Sequence, residues 1–175
     1  KFPGAKWFGG ARLNFAENLL RHRDDHPAFV FVAENQRPTQ ITFGQLYDLV
    51  ARLAASLREL GVGAEDRVGA YMPNLIETVI AMLAATSIGA AWSSCGTELG
   101  PTPVLDRFGQ IEPKVLFTVD GYPYKGRSFS ALSNVEKIAN GIPSLKKIVV
   151  VPYMQKNPDI SGIPKAALFS DFVSS

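Results

Sequence analysis

Residues 67–94 constrain the fold of this chain more than any other stretch. Apolar side chains alternate with other types over residues 68–72, which predicts a strand. Residues 75–88 are apolar almost all round and predict a helix covered by other elements, because a solvent-facing helix would keep a polar stripe. Extended structure resumes at residues 90–92, so the stretch predicts a βαβ unit in a parallel sheet. A transmembrane helix is the alternative, but this helix would extend only about 21 Å, less than a bilayer core.

Local signals mark the ends of the two best-defined helices. Asn74 is the expected N-cap of the helix just described, with Glu77 placed to bond back to it. Gly89 supplies the left-handed residue that ends this helix. Thr42 and Gln45 form a capping box before a second helix, whose apolar residues recur in one stripe.

The rest of the chain alternates between strand and helix patterns. The predicted elements are a helix at 15–22, a hairpin of strands at 27–33 and 39–42, the second helix at 43–60, a helix at 101–111, a strand at 115–119, a loop at 120–127, a helix at 131–140 and a strand at 147–151. Phe2, Trp7 and Phe8 are expected to pack an N-terminal arm onto the body. The order predicts an open α/β fold with a mainly parallel sheet and flanking helices, preceded by the arm and the hairpin. Residues 1–26 form the arm and short helix, and residues 27–175 form a partial α/β subdomain.

Composition excludes several classes of protein. Hydrophobic residues make up 46% of the 175 residues, charged residues make up 19%, and the net charge is +2. These values are ordinary for a soluble globular protein and predict neither nucleic-acid binding nor membrane insertion. One cysteine, Cys95, forbids an internal disulfide and fits a reducing compartment, so a cytoplasmic location is expected. The chain begins without methionine at Lys1 and stops at Ser175 in mid-pattern, which indicates a piece of a larger protein that packs against the missing remainder of its own chain.

Three loops are predicted at the carboxyl ends of parallel strands, where ligands bind in such sheets. These loops are residues 73–74, 93–100 and 120–127. The second loop has hydroxyls and glycines that permit close backbone approach, and residues 125–127 of the third place two cations beside a glycine, which suits a phosphate. Spacing alone favours the alternative, in which these loops are ordinary surface turns.

No other group of residues predicts catalysis. His22 and His26 are four residues apart, as metal ligands on a helix can be, but Pro27 breaks that helix and a metal site is not expected. Cys95 has no histidine near it in sequence, so a structural or incidental thiol is favoured over a nucleophile. The chain has neither the Walker-type phosphate loop nor the dinucleotide-binding glycine motif. The residues alone therefore indicate an α/β chain with one anion-binding edge and no catalytic machinery.

Several motifs resemble a known enzyme family. Residues 2–4 (FPG) and 10–20 (GARLNFAENLL), with the stretch 61–94, resemble the front part of the adenylate-forming acyl-CoA synthetases. Residues 111–117 (IEPKVLF), followed by DGY at residues 120–122, resemble the acetoacetyl-CoA synthetase branch of that family. The resemblance covers essentially the whole chain, but only the opening portion of the family's chain.

The resemblance implies that the complete protein is a two-step acid–CoA ligase. Acetoacetate attacks ATP to give an acyl-adenylate and pyrophosphate, and coenzyme A then takes the acyl group as a thioester. Magnesium is implied with the ATP, because phosphoryl oxygens need charge neutralisation. The family's phosphate loop, its adenine and ribose contacts and its late catalytic lysine all lie beyond Ser175. No catalytic residue is therefore predicted here, and the isolated chain is expected to be inactive.

Two segments carry over from related acetyl-CoA synthetases. The counterpart of their loop against the pantetheine arm of coenzyme A consists here of Cys95, Gly96, Thr97 and Glu98. The counterpart of their RGGR-type segment, which contacts the nucleotide phosphates of coenzyme A, consists of Tyr124, Lys125, Gly126 and Arg127. This chain departs from the family at both places. Residues 96–100 read GTELG where the acetoacetyl branch usually reads SPDFG, and Tyr124 replaces the first cation.

Two other functions remain open at this point. The acid can instead be acetate, propionate or another short acyl group, because this family builds its acid pocket mostly downstream. A non-catalytic α/β module that binds a nucleotide or a partner protein is the second alternative, and it requires a partner that covers the apolar flank.

Overall fold

A computed structural model describes residues 4–34 and 37–173 of the chain. The described elements are, in chain order, α1 (Phe15–Leu19), β1 (Pro27–Phe31), β2 (Thr39–Thr42), α2 (Phe43–Glu59), β3 (Arg67–Tyr71), α3 (Ile76–Ser87), β4 (Ala91–Cys95), α4 (Pro101–Ile111), β5 (Val115–Val119), β6 (Gly121–Tyr124), β7 (Arg127–Ser130), α5 (Leu132–Gly141), β8 (Lys147–Val151), β9 (Ala166–Leu168) and α6 (Phe169–Val173).

Five strands form one parallel sheet in the order β4-β3-β5-β8-β9. Every residue of the central strand β5 is buried, as expected of a parallel strand that is covered on both faces. Two antiparallel hairpins, β1-β2 and β6-β7, accompany this sheet. The predicted fold class, an open α/β arrangement with a mainly parallel sheet and flanking helices, is therefore confirmed.

The βαβ unit predicted from residues 67–94 is present as β3, α3 and β4. No residue of α3 is exposed, because α1 and α2 pack against it, so the prediction of a covered helix is confirmed. Gly89 has φ +82 at the end of this helix, as predicted. Asn74, however, is not its cap. The helix begins one residue later, with Leu75 as N-cap, because the Thr78 hydroxyl accepts the Leu75 N–H at 3.3 Å.

Helix α2 begins with the predicted capping box. The Gln45 N–H donates to the Thr42 hydroxyl at 3.2 Å, and the Thr42 N–H donates to the Gln45 side chain at 3.0 Å. Its apolar stripe is buried against α3, and the buried leucines and valine are Leu46, Val50, Leu53 and Leu57. The helix ends at Glu59, followed by Gly61 with φ +78.

The N-terminal arm does not pack as predicted. Trp7 is 73% exposed and Phe8 is 85% exposed, while Phe2 lies outside the described residues. The arm turns on itself instead, since the Ala11 N–H donates to the Phe8 carbonyl at 2.9 Å. Helix α1 is also shorter than predicted and ends at Leu19.

Two further predictions need correction around the sheet, and one strand was missed. Residues 120–127 are not a loop, because most of them pair as the hairpin β6-β7. Residues 93–95 belong to strand β4, so the loop that follows it begins only at Gly96. Strand β9 was not predicted, since its three residues are specified by pairing with β8 rather than by a visible pattern.

In the part of the chain that the structure describes, no helix is both long and apolar enough to cross a membrane.

Candidate functional site

A cleft of about 340 Å³ lies where the strands of the sheet end. Its walls come from five segments that are far apart in sequence: residues 31–34, 73–75, 97–98, 122–124 and 153. The middle three follow the carboxyl ends of β3, β4 and β5, and residue 153 follows β8. Because parallel strands end at the same edge of a sheet, the three predicted loops meet there. The first segment comes from the hairpin β1-β2 and was not predicted.

The structure brings some of the predicted site residues into this cleft and leaves others outside its lining. Thr97, Glu98 and Tyr124 line it. Cys95, the last residue of β4, is buried and does not belong to the lining. Gly96 lies beneath the Glu98 carboxylate, which would collide with a side chain at that position. Lys125, Gly126 and Arg127 follow Tyr124 in the hairpin β6-β7 and lie at the rim, all exposed.

A buried phenol fixes the loop after β4. The side chain of Tyr71 is fully buried, and its hydroxyl lies 2.7 Å from the carbonyl of Leu99 and 3.0 Å from that of Thr97. Burial raises the pKa of Tyr71 above its ordinary value, so the phenol keeps the proton that it donates. The main chain of the loop is therefore held from inside the sheet. Tyr71 was predicted only as part of a strand, and this role was not predicted.

The hairpin β6-β7 presents main-chain donors as well as cations. Its two-residue turn consists of Lys125 and Gly126, with φ of +50 and +71, between the paired residues Tyr124 and Arg127. The Lys125 ammonium lies 5.3 Å from the centre of the Tyr124 ring. Neither of the two ion pairs among residues 4–34 and 37–173 involves Lys125 or Arg127. Both cations are therefore available to an anionic ligand.

A buried carboxylate positions Tyr153 against the cleft. The Asp120 side chain accepts the N–H groups of Tyr153 at 2.7 Å, Met154 at 3.0 Å and Gln155 at 2.8 Å. Desolvation, followed by the nearby Glu34 and Glu77 carboxylates, raises the pKa of Tyr153. Tyr153 therefore presents a protonated hydroxyl at neutral pH. The signal for Asp120 was an acidic residue directly after a buried strand.

The charge distribution distinguishes the interior of the cleft from its rim. Among the residues that line it, the charged ones are the acids Glu34 and Glu98. The cations Lys125 and Arg127 lie outside, at the tip of the hairpin. An interior with tyrosines, backbone groups and no cation suits an uncharged, hydrogen-bonding chain, and the rim suits phosphate.

Metal binding and covalent catalysis have no comparable support. In the described ranges, no group of three or more His, Cys, Asp and Glu side chains is arranged to hold a metal ion. His22 packs on the ring of Phe43, with 5.6 Å between ring centres, and His26 lies 3.2 Å from Asp24. A second groove of about 370 Å³ is lined by residues of α1, α2 and the end of α3, away from the carboxyl ends of the strands.

Comparison with known proteins places this geometry in a family. Residues 15–168 match the family described as "AMP-binding enzyme". The chain belongs to this family. It is 42% identical over 174 residues to the acetoacetyl-CoA synthetase of Mus musculus, a match that covers 97% of this chain and 26% of the relative. It is 46% identical over 149 residues to the acetoacetyl-coenzyme A synthetase of Rhizobium meliloti, covering 85% of this chain and 23% of the relative.

A solved structure agrees with these relatives. The acetoacetyl-CoA synthetase from Streptomyces lividans superimposes with a TM-score of 0.90 at 40% identity, over 99% of this chain and 27% of that one. The predicted resemblance to the adenylate-forming enzymes, and to their acetoacetyl branch, is confirmed. The chain spans about a quarter of the length of the relatives it matches.

Proposed function

We propose that this chain forms the coenzyme A-binding wall of an acid–CoA ligase that activates acetoacetate with ATP. The similarity to acetoacetyl-CoA synthetases over nearly all of the chain supports the reaction. The observation that carries the assignment of the wall is the cleft itself, which combines an interior without cations and a rim with two. Coenzyme A has the same arrangement, with an uncharged pantetheine arm attached to a nucleotide that carries phosphates.

The reaction proceeds in two transfers. A carboxylate oxygen of acetoacetate attacks the α-phosphorus of ATP, pyrophosphate leaves, and an acyl-adenylate forms. The sulfur of coenzyme A, having lost its proton, then attacks the acyl carbon, and AMP leaves with the electrons of the broken C–O bond. The lining of the cleft supplies no cation for either transfer, and the family's phosphate loop and catalytic lysine lie beyond Ser175, so we expect the isolated chain to be inactive.

Each group of residues has a separate role in this proposal. The loop held by Tyr71 offers the main chain around Thr97 and the side chain of Glu98 to the amides of the pantetheine arm. The protonated hydroxyl of Tyr153 is a further donor on the opposite side. Lys125 and Arg127 bind the phosphates at the rim, where their charges have no carboxylate partner among the described residues.

Magnesium belongs with the phosphates of ATP rather than with this chain. The described residues contain no group of three or more His, Cys, Asp and Glu side chains that could hold a metal ion, and Mg²⁺ in such enzymes is bound largely by the phosphates of its nucleotide. Magnesium, where bound, supplies charge neutralisation to the phosphoryl oxygens. A cytoplasmic location fits the free thiol of Cys95. The exposed apolar residues of the arm, Trp7, Phe8 and Leu13, fit a surface that packs against further chain.

Removing the positive charges of Lys125 and Arg127 tests whether these side chains bind the phosphates of coenzyme A. Because Lys125 has positive φ, alanine would strain the turn, whereas asparagine tolerates this conformation and forms a favoured pair with Gly126. The variant Lys125→Asn with Arg127→Gln should therefore keep the hairpin. In the complete ligase that carries this chain, we expect its KM for coenzyme A to rise about tenfold, as for the loss of two exposed charge contacts, with the KM for ATP unchanged.

The matched control is Arg107→Gln, which removes an exposed positive charge from α4, outside the cleft. This control should leave both KM values unchanged. An unaltered KM for coenzyme A in the double variant would contradict the phosphate role.

A further inference from the structure

The anion-accepting turn of the hairpin β6-β7 already holds a carboxylate from this chain. Glu34 accepts the N–H of Lys125 at 3.3 Å through one side-chain oxygen and the N–H of Gly126 at 3.1 Å through the other. These partners are 91 and 92 residues apart in sequence. The contact joins the hairpins β1-β2 and β6-β7, which both contribute to the cleft lining.

The geometry of the turn explains why it accepts an anion. Its two central residues both have positive φ, and their N–H groups have no partner across the ladder, because the paired residues are Tyr124 and Arg127. Adjacent free N–H groups of this kind form a concave anion-binding site. The two oxygens of Glu34 occupy both donors at once, as two oxygens of a phosphate would.

The charges at the turn are not balanced by Glu34. Glu34 brings a single negative charge to a turn that carries the cation Lys125 and is followed directly by the cation Arg127, and neither cation forms an ion pair with Glu34. A phosphate monoester carries close to two negative charges at neutral pH. It would therefore match the turn better than the carboxylate does. Glu34 is exposed, so its carboxylate regains water when it leaves.

We propose that Glu34 is an internal stand-in for the phosphate of the ligand: it occupies the Lys125 and Gly126 N–H groups and is displaced when a phosphate binds. Glu34 thereby lowers the affinity of the cleft for phosphorylated ligands and leaves the affinity for unphosphorylated ones unchanged. This inference rests on the proposed function for its natural ligand, coenzyme A. Displacement also releases the link between the two hairpins at the mouth of the cleft.

The test compares three ligands in the complete ligase by titration calorimetry. Coenzyme A carries a 3′-phosphate and a diphosphate, dephospho-coenzyme A keeps only the diphosphate, and pantetheine has neither. For Glu34→Ala we expect about tenfold tighter binding of coenzyme A and unchanged binding of pantetheine. Tighter binding of dephospho-coenzyme A as well would assign the diphosphate to the turn, and unchanged binding would assign the 3′-phosphate. The matched control, Glu136→Gln on the exposed face of α5, should change none of the three.

Unchanged or weaker binding of coenzyme A by Glu34→Ala would overturn the inference. If this result accompanies weaker binding by Lys125→Asn with Arg127→Gln, the proposed function stands and the role of Glu34 falls. A second measurement is used if Lys125→Asn with Arg127→Gln leaves the affinity for coenzyme A unchanged. With glycine-specific ¹⁵N labelling, the Gly126 amide signal should shift in Glu34→Ala and shift back on addition of inorganic phosphate. If the Gly126 signal shifts neither in Glu34→Ala nor on addition of inorganic phosphate, the inference is overturned independently of coenzyme A.

Discussion

Single buried polar groups determine the shape of the cleft. The Tyr71 hydroxyl holds the main chain of the loop after β4, and the Asp120 carboxylate holds the segment after β8 through three N–H groups. Neither side chain belongs to the lining. Each acts by satisfying main-chain groups of the segment that it holds, and a main-chain group that is buried without a partner costs about 1–3 kcal/mol. The shape of the site therefore depends on residues that a ligand does not touch.

Replacing Tyr71 by phenylalanine tests this positioning role. The change leaves the ring in place and deprives the carbonyls of Leu99 and Thr97 of their donor. We expect the free energy of unfolding to fall by about 1–2 kcal/mol, measured by urea denaturation, and hydrogen exchange in residues 97–100 to accelerate. Tyr122→Phe is the matched control, because its hydroxyl has no hydrogen-bond partner among the described residues. Equal effects of the two changes would show that Tyr71 does not position the loop.

At the scale of elements, the end of the sheet opposite the cleft supplies stability. The Lys114 ammonium, just before β5, lies 2.6 Å from a carboxylate oxygen of Asp66, just before β3. It also donates to the Gly61 carbonyl at 3.1 Å, after α2. The Lys114 ammonium thus connects the starts of two central strands through an ion pair and the end of a helix through a hydrogen bond. Since these residues lie at the amino ends of the strands, changes here should spare the ligand site.

This ion pair predicts a pH dependence of stability. The hydrogen bond from Lys114, aided by the Gly63 N–H, holds the pKa of Asp66 below its usual value, against the opposing effect of burial. Because the pKa of Asp66 is lower in the folded than in the unfolded state, ionised Asp66 stabilises the fold above about pH 4. This stabilisation is lost as the pH falls through the pKa of Asp66 in the folded state. Asp66→Asn should therefore lower the free energy of unfolding by about 1 kcal/mol at pH 7, and by less as the pH drops toward 3.

Denaturation of the unaltered protein and of Asp66→Asn, from pH 7 to pH 3, measures the difference between their free energies of unfolding directly. Asp106→Asn, on the exposed face of α4, is the control and should show no such trend. A stability difference for Asp66→Asn that is constant from pH 7 to pH 3 would refute the role of the ionised pair.

The elements also show which parts of the fold the sequence could predict. Helix α2 was predictable because its periodicity and its capping box indicate the same structure, and helix α3 and strand β5 were predictable from their apolar content. The hairpin β6-β7 was mistaken for a loop, since Pro123 and Gly126 are typical of turns. Pro123 is tolerated because it lies in a separate two-stranded hairpin, outside the central sheet. Strand β9 has only three residues and depends on its neighbour β8.

At the scale of the whole molecule, topology predicted the edge of the sheet at which the site lies, but not its complete walls. The positions of the three segments after β3, β4 and β5 follow from the rule for parallel sheets. The contribution of residues 31–34 does not, because these residues reach the cleft through long-range contacts, such as that between Glu34 and a turn 91 residues away. The packing of the N-terminal arm was predicted wrongly, since Trp7 and Phe8 remain exposed. An apolar side chain indicates that a residue is expected to be buried, but it does not indicate which part of a protein buries it.

The central claim is that the cleft at the strand ends binds coenzyme A. The most direct measurement is a crystal structure of the complete ligase that carries this chain, with coenzyme A bound. The account predicts that the pantetheine arm lies along Thr97 and Glu98, that a phosphate contacts the Lys125–Gly126 turn, and that Glu34 has moved away from it. Coenzyme A bound elsewhere, with Glu34 still on the Lys125 and Gly126 N–H groups, would contradict the account.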